Sequence, residues 1–332
     1  MALSSMMQPW NQPLILKRVL LFLLTLVLAV ACGSPASSPG ASDRTTDANC
    51  RTVQHTLGET CVPLNPQRIV VLWTPTLANV LALEVQPIGV ASYPAESGIT
   101  IPPYLEERLG DVAFVGDQNQ PSLEKILQLQ PDLILGTINE AIYPQLSQIA
   151  PTVILAWEGT PSWKQHLFDV AAVLNKTAEA EQIMARYNQR VAELKASLGD
   201  RPATLEVSFV HLCCNQVDLD LKNSFIGTIL EDVGFRRPPA QDKTAEGGMV
   251  KLSEERLADA DGDLLFVTTF SNDDDRALQK LQQQPLWSQL KAVQRNQVYP
   301  VDYSTWRGAD ILAAEQVLDD LSNYLVPSSS AP

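Results

Sequence analysis

The sequence predicts an α/β protein in which two doubly wound lobes are joined by a single long bridging helix. Three observations lead there. Helical spacing runs from Ser162 to Leu198 with one interruption, short apolar runs alternate with helical patterns on either side of it, and the two flanks echo each other. The bounds follow: an export signal at 1–31, a flexible tether and N-terminal extension at 32–63, a first lobe at 64–160, the bridge at 161–200, a second lobe at 201–327, and a tail at 328–332.

In the bridge, Trp163, Leu167, Val170 and Leu174 repeat at helical spacing. After a break at Asn175-Lys176 the stripe resumes with Ile183, Tyr187, Val191, Leu194 and Leu198. Thr177 is the expected N-cap, Glu179 and Glu181 suit the positive end of the helix dipole, and Gly199 is the expected stop. The second piece is therefore about 22 residues, roughly 30 Å long. That length spans two small lobes.

The chain opens with Lys17-Arg18, an apolar run from Val19 to Val30, and Ala31-Cys32. This is the layout of an export signal, and the run is too short to cross a bilayer comfortably. Cys32 is placed to carry a lipid, and the polar GSPASSPGASDRTTD that follows suits a tether after a membrane anchor; a simple cleaved signal is the alternative. Either way the mature protein works outside the cytoplasm, at the periplasmic face of the membrane or the cell surface.

A hydrophobic content of 45% is ample for a core in a mature part of about 300 residues. The formal charge of −14 argues against nucleic acid as a partner. Besides Cys32 there are four cysteines, an even number in an oxidising compartment. Cys50 with Cys61 reads as a staple ahead of the first lobe. Cys213-Cys214 are adjacent, which leaves a strained vicinal disulfide, two free thiols or pairing elsewhere open, and His211 shares a strand face with Cys213, which hints at a soft-metal site but lacks further ligands. Buried structural cysteine is the other reading. His55, His166 and His211 are too scattered to cage a metal.

In the first lobe, RIVVLW (68–73), PIGVAS (87–92), DVAFVG (111–116), DLILG (132–136) and TVILAW (152–157) read as strands, with helices through Leu77 to Leu83 and Leu123 to Leu129. Such a sheet is parallel and places ligands beyond the carboxyl ends of its strands. The residues there are Trp73, Tyr93, Gln118, Asn139 and Trp157. No nucleotide-binding glycine motif, nucleophile elbow or HExxH occurs, so the lobe offers aromatic and amide surface without catalytic machinery.

In the second lobe, TLEVSFVHL (204–212), DLLFVTT (263–269) and QVYPVD (297–302) read as strands. SFIGTILEDVG (224–234) is an amphipathic helix ended by glycine, and a terminal helix runs from about Ala309 to Leu325. The echo pairs LEKILQLQPDLIL with EERLADADGDLLF at a fixed offset of 131 residues (255 minus 124), matching Glu124 to Glu255 and Asp132 to Asp263. Duplicated lobes present these two glutamates as equivalent exposed carboxylates.

The leader, RIVVLW, VGDQNQPSLEKILQLQPDLILG, NSFIGTILEDVG, PLWSQLKAVQRNQVYPVD and the last helix together resemble the iron-siderophore substrate-binding proteins of ABC importers, over Arg68 to Val326. The resemblance implies two α/β lobes on one long helix that close slightly on a ligand. It also implies a monomer that is no enzyme, binds no cofactor or metal directly, receives its iron as a ferric siderophore, and hands it to a permease driven by an ATPase. Glu124 in PSLEKI and Glu255 in SEERL match the segments whose glutamates dock onto permease arginines. Many relatives have an arginine after the VG turn, where this chain reads Asp117-Gln118-Asn119-Gln120, which weakens the case for a strongly anionic carboxylate ligand. Arg307 is the remaining basic group placed for the cleft, beside Trp306. Cobalamin or haem on the same scaffold is the nearest alternative, and an exported thiol oxidoreductase built on Cys213-Cys214, without CxxC spacing, a remote one.

Overall fold

Three consecutive β-branched residues, Ile69–Val71 (β3), are sealed from solvent on both faces, which places them mid-sheet. The computed structural model describes residues 49–93, 101–136, 141–155, 163–214 and 216–326. The leader, Cys32, Asn139 and Trp157 lie outside them.

Ahead of β3, Cys50–His55 (β1) and Gly58–Pro63 (β2) form an antiparallel hairpin closed by the Cys50–Cys61 disulfide. It docks on the first sheet: the Thr56 N–H donates to the Ile154 carbonyl, and the Thr60 hydroxyl to that of Thr152. Residues 50–63 of the expected tether and extension are thus ordered structure.

After β3 come Thr74–Ala82 (α1), Gly89–Ser92 (β4), Pro103–Leu109 (α2), Ala113–Asp117 (β5), Gln120–Pro121 (β6), Leu123–Gln128 (α3), Leu133–Gly136 (β7), Tyr143–Ile149 (α4) and Thr152–Ile154 (β8). They build a six-stranded sheet in the order β6-β5-β4-β3-β7-β8, parallel except for the edge strand β6. Alternate residues face opposite cores. Val70, Leu72 and Ile134 pack toward α3, while Ile69, Val71, Leu133 and Leu135 pack toward the rest of the molecule.

The bridge is two helices, Trp163–Leu174 (α5) and Thr177–Leu198 (α6). α6 has the expected span of 22 residues, and the expected stripe is buried along it. Its start differs: Thr177 is already helical, and Lys176 holds the capping position without a side-chain cap bond. The break falls at Asn175, whose φ of 58° is one that asparagine tolerates. Gly199, at φ 59°, ends α6 as expected.

Beyond Arg201–Thr204 (α7), the second lobe contains Val207–Cys213 (β9), Gln216–Asp220 (β10), Phe225–Val233 (α8), Met249–Lys251 (β11), Leu264–Thr269 (β12), Asn272–Gln282 (α9), Lys291–Gln294 (α10), Val298–Pro300 (β13), Tyr303–Trp306 (α11) and Ile311–Leu325 (α12). Its sheet runs β11-β10-β9-β12-β13. β9, β12 and β13 are parallel as expected, but β10 and β11 are antiparallel additions, so this sheet is mixed. Tyr187 of α6 and Lys164 of α5 both donate to the Asp232 carboxylate at the end of α8, at 2.7 and 2.6 Å. One core runs from Val71 through α1, α5, α6 and α12 to Phe209 and Phe266, joining the inner faces of both sheets.

Candidate functional site

The carboxyl ends of β3, β4, β5, β9 and β12 set the chemistry between the lobes. Trp73 follows β3 at the head of α1, half-buried, with its indole edge-on to His166 at 5.3 Å. His166 is buried against the Thr76 hydroxyl at 3.0 Å, and burial pushes its pKa down to about 4, so it is neutral at neutral pH. Gln118 follows β5 and accepts from the Thr74 hydroxyl.

From the second sheet, Phe270 follows β12 and Tyr303 opens α11. Tyr93 lies 6.4 Å from Phe270, and Phe270 lies 4.8 Å from Tyr303, so three half-buried rings cross from one lobe to the other. Burial raises the pKa of both tyrosines, so they stay protonated donors at neutral pH.

Beneath the rings lies a charged cluster. Arg307, after α11, donates to Asp220 Oδ1, and His211 Nδ1 sits 2.6 Å from Asp220 Oδ2. Asp220 is fully buried; burial alone would raise its pKa, but Arg307 and His211 outweigh that and hold it down at about 2. Tyr303 hydrogen-bonds both Arg307 and Cys213. Burial, with Cys214 alongside, pushes the Cys213 thiol up to about 12, which makes it a poor nucleophile.

A family model described as "Periplasmic binding protein" matches residues 69–304, well over half of the chain. The chain belongs to the periplasmic binding proteins. It is 34% identical, over 92% of its length and 96% of the relative's, to the probable siderophore-binding lipoprotein YfiY of Bacillus subtilis. It is 30% identical to the Fe(3+) dicitrate-binding periplasmic protein FecB of Escherichia coli, over 81% and 88%. Among solved structures, Staphylococcus aureus SirA complexed with staphyloferrin B matches with a TM-score of 0.72 and 27% identity, covering 83% of this chain and 98% of that one. The family captures substrates and does not transform them.

In this periplasmic binding protein the strand ends bring together Trp73, Tyr93, Gln118 and Arg307. Trp306 departs from expectation. It is fully buried, stacked on Phe266 at 4.4 Å, and its indole N–H donates to Asp320 at 2.8 Å, so it packs the core and offers no surface to a ligand. Arg307 is near the site but ion-paired. Phe270 and Tyr303 were not anticipated, although Phe270 directly follows the DLLFVTT run, where the rule of strand ends applies equally. His211 does share a face with Cys213 but is committed to Asp220, and among the described residues no group of three metal-ligating side chains exists.

Glu124 and Glu255 are both exposed. Glu124 lies in the first turn of α3, which Ser122 caps through the Lys125 N–H. Glu255 lies in a 3-10 helix, Glu254–Ala260, that begins after Ser253, so the echo pairs an α-helical start with a tighter one. Hydrogen bonds from its own backbone N–H and from Ser253 hold its carboxyl below the usual glutamate range.

Proposed function

We propose that this protein captures a ferric siderophore between its two lobes and delivers it to the permease of an ABC importer, held to the membrane as a monomer by a lipid on Cys32. The observation that carries the reading is the ring path of Tyr93, Phe270 and Tyr303, with Trp73 beside it, at the facing strand ends of two lobes that share one core. Half-buried aromatics around a few fixed polar groups suit a bulky chelate with an organic periphery. Relatives named for siderophore and ferric dicitrate binding support the same reading. Asn139 and Trp157 belong to the proposed contacts on sequence grounds.

The test is titration of the purified protein with a panel of ferric siderophores, cobalamin and haem, followed by tryptophan fluorescence. Saturable quenching by at least one ferric siderophore is expected, weakened in Trp73→Ala and Tyr93→Ala. Silence toward every iron chelate, with saturable binding of cobalamin or haem, overturns it.

A further inference from the structure

The second lobe buries a guanidinium that makes no ion pair among the described residues. Arg237, in the loop after α8, is 7% exposed. Its Nη2 donates to the Asp220 backbone carbonyl at 2.6 Å and to the side-chain oxygen of Gln241. Gln241 is itself fully buried, accepts from the Phe209 N–H and donates to the Ser208 hydroxyl oxygen, so the guanidinium is held in place from β9. The Asp220 carboxylate is spent on Arg307 and His211, which leaves one buried carboxylate to serve two guanidiniums. Burial lowers the Arg237 pKa to about 10, and the group is still charged at neutral pH.

The rest of the guanidinium is uncommitted. Nε and Nη1 of Arg237 are buried with no hydrogen-bond partner among the described residues, a state that buried donors rarely keep. Arg237 lines a cavity of about 430 Å³ with Lys222, Arg236, Glu231, Phe235 and Pro239. The lining belongs to the second lobe and includes none of the cleft rings. Gly227 closes its wall: a Cβ there would lie 2.0 Å from the Leu221 carbonyl oxygen, so α8 packs directly on backbone. At the rim, Lys222 faces Asp242 at 3.6 Å and Arg236 faces Glu206 at 3.5 Å, long pairs that reach solvent and hold weakly. With those two pairs matched, Arg237 and Glu231 remain, and Glu231 is exposed on α8 while Arg237 is buried.

We infer that this cavity is a second ligand site, separate from the inter-lobe cleft, and that it takes a compact multivalent oxyanion of the phosphate class. A planar guanidinium fixed through one nitrogen and open at the other two matches the oxygens of such an anion. A buried cation without a counter-charge destabilises its surroundings, and an anion arriving beside it relieves that cost. Lys222 and Arg236 flank the entrance and turn from their long pairs toward the incoming charge, which favours an anion with more than one charge to share. Glu231 opposes it only weakly, because solvent and salt screen an exposed carboxylate far more than a buried guanidinium. The site stands whatever ligand the cleft holds.

The experiment titrates the intact protein with inorganic phosphate, acetate and chloride at matched ionic strength, by calorimetry and by thermal unfolding. Phosphate is expected to bind once per chain and to raise Tm saturably, with acetate at least about fivefold weaker and chloride not saturating. Lys222→Ala with Arg236→Ala is expected to weaken phosphate about two- to tenfold, Glu231→Gln to tighten it about twofold, and Arg237→Gln to abolish it. The three rim side chains all reach solvent, so their variants decide the matter even if Arg237→Gln does not fold. Tyr93→Ala, in the cleft, is expected to leave phosphate binding unchanged. Phosphate that stabilises no more than acetate or chloride overturns the site, and so does phosphate binding that ignores the rim variants or disappears in Tyr93→Ala. None of these outcomes touches the siderophore reading, which the ferric panel tests by itself.

Discussion

Arg307 and Trp306 are neighbours in sequence with opposite fates, because Trp306 ends α11 packed into the core while Arg307, at the cap with φ −119°, leaves the helix and pairs with Asp220. Removing Arg307 strands the buried Asp220 carboxylate. Arg307→Ala is therefore expected to cost about 3–5 kcal/mol of stability, and Asp220→Asn in the same chain to return part of it. Urea midpoints of the two single variants and the double variant measure the coupling. The pH dependence has a definite sign. Asp220 is held at about 2 against an ordinary 3.8, so its stabilisation is present above pH 3.8 and is lost as pH falls through about 2. Trp306→Ala opens a cavity under Phe266 and is expected to cost about 3–5 kcal/mol, whereas Trp306→Phe keeps the stack and loses mainly the Asp320 bond, about 1 kcal/mol. Ligand affinity of the folded fraction should be unchanged in both. A selective loss of affinity at wild-type stability would return Trp306 to the cleft.

At the scale of elements, α12 begins on Asp310, which caps it through the Ala313 N–H at 2.8 Å and accepts from the Tyr104 hydroxyl of α2 at 2.8 Å. Burial outweighs these bonds and raises its pKa to about 7 from an ordinary 3.8. An acid raised on folding binds its proton more tightly when folded, so the wild type loses stability as pH rises from 3.8 through about 7. Asp310→Asn keeps the cap through Oδ1 without the charge, while its Nδ2 donates to the Tyr104 hydroxyl oxygen instead of accepting from it. The stability difference between variant and wild type should grow in the variant's favour across that window and be flat below it; a constant difference defeats the assignment. The elements most legible in the sequence were those whose burial repeats locally. The stripe of α6 and its Gly199 stop needed no tertiary information. The β9–β10 hairpin was missed because its turn passes through Cys214, at φ 58°, without the glycine that marks tight hairpins, and because Asp218 and Asp220 read as surface residues. The site was half legible for the same reason. Strand ends pointed to Trp73, Tyr93 and Gln118, but nothing local announces that Arg307 is claimed by an aspartate 87 residues away.

At the scale of the molecule, the lobes share one core and are tied by Tyr104 to Asp310 and by the Ile311 N–H to Asn79 at 3.4 Å, so a surface spread over both lobes is presented as one object. Glu124 and Glu255 each stand two residues after a serine at a helix start, α-helical in the first lobe and 3-10 in the second, exposed and outside the set of cleft residues. As partners for permease arginines they would act mainly on encounter and orientation, because exposed charge pairs add little affinity and are screened by salt. A single Glu→Ala is therefore expected to weaken permease association modestly and the pair to weaken it more, with wild-type association itself fading as salt rises. Siderophore affinity should not change. If the two glutamates are only helix-surface carboxylates, their loss shifts stability by at most about 0.5 kcal/mol and leaves transport intact. Uptake of iron-loaded siderophore by cells carrying Glu124→Ala with Glu255→Ala separates the two cases. Reduced uptake at normal protein level and normal ligand affinity places the docking surface on these residues, and normal uptake removes it from them.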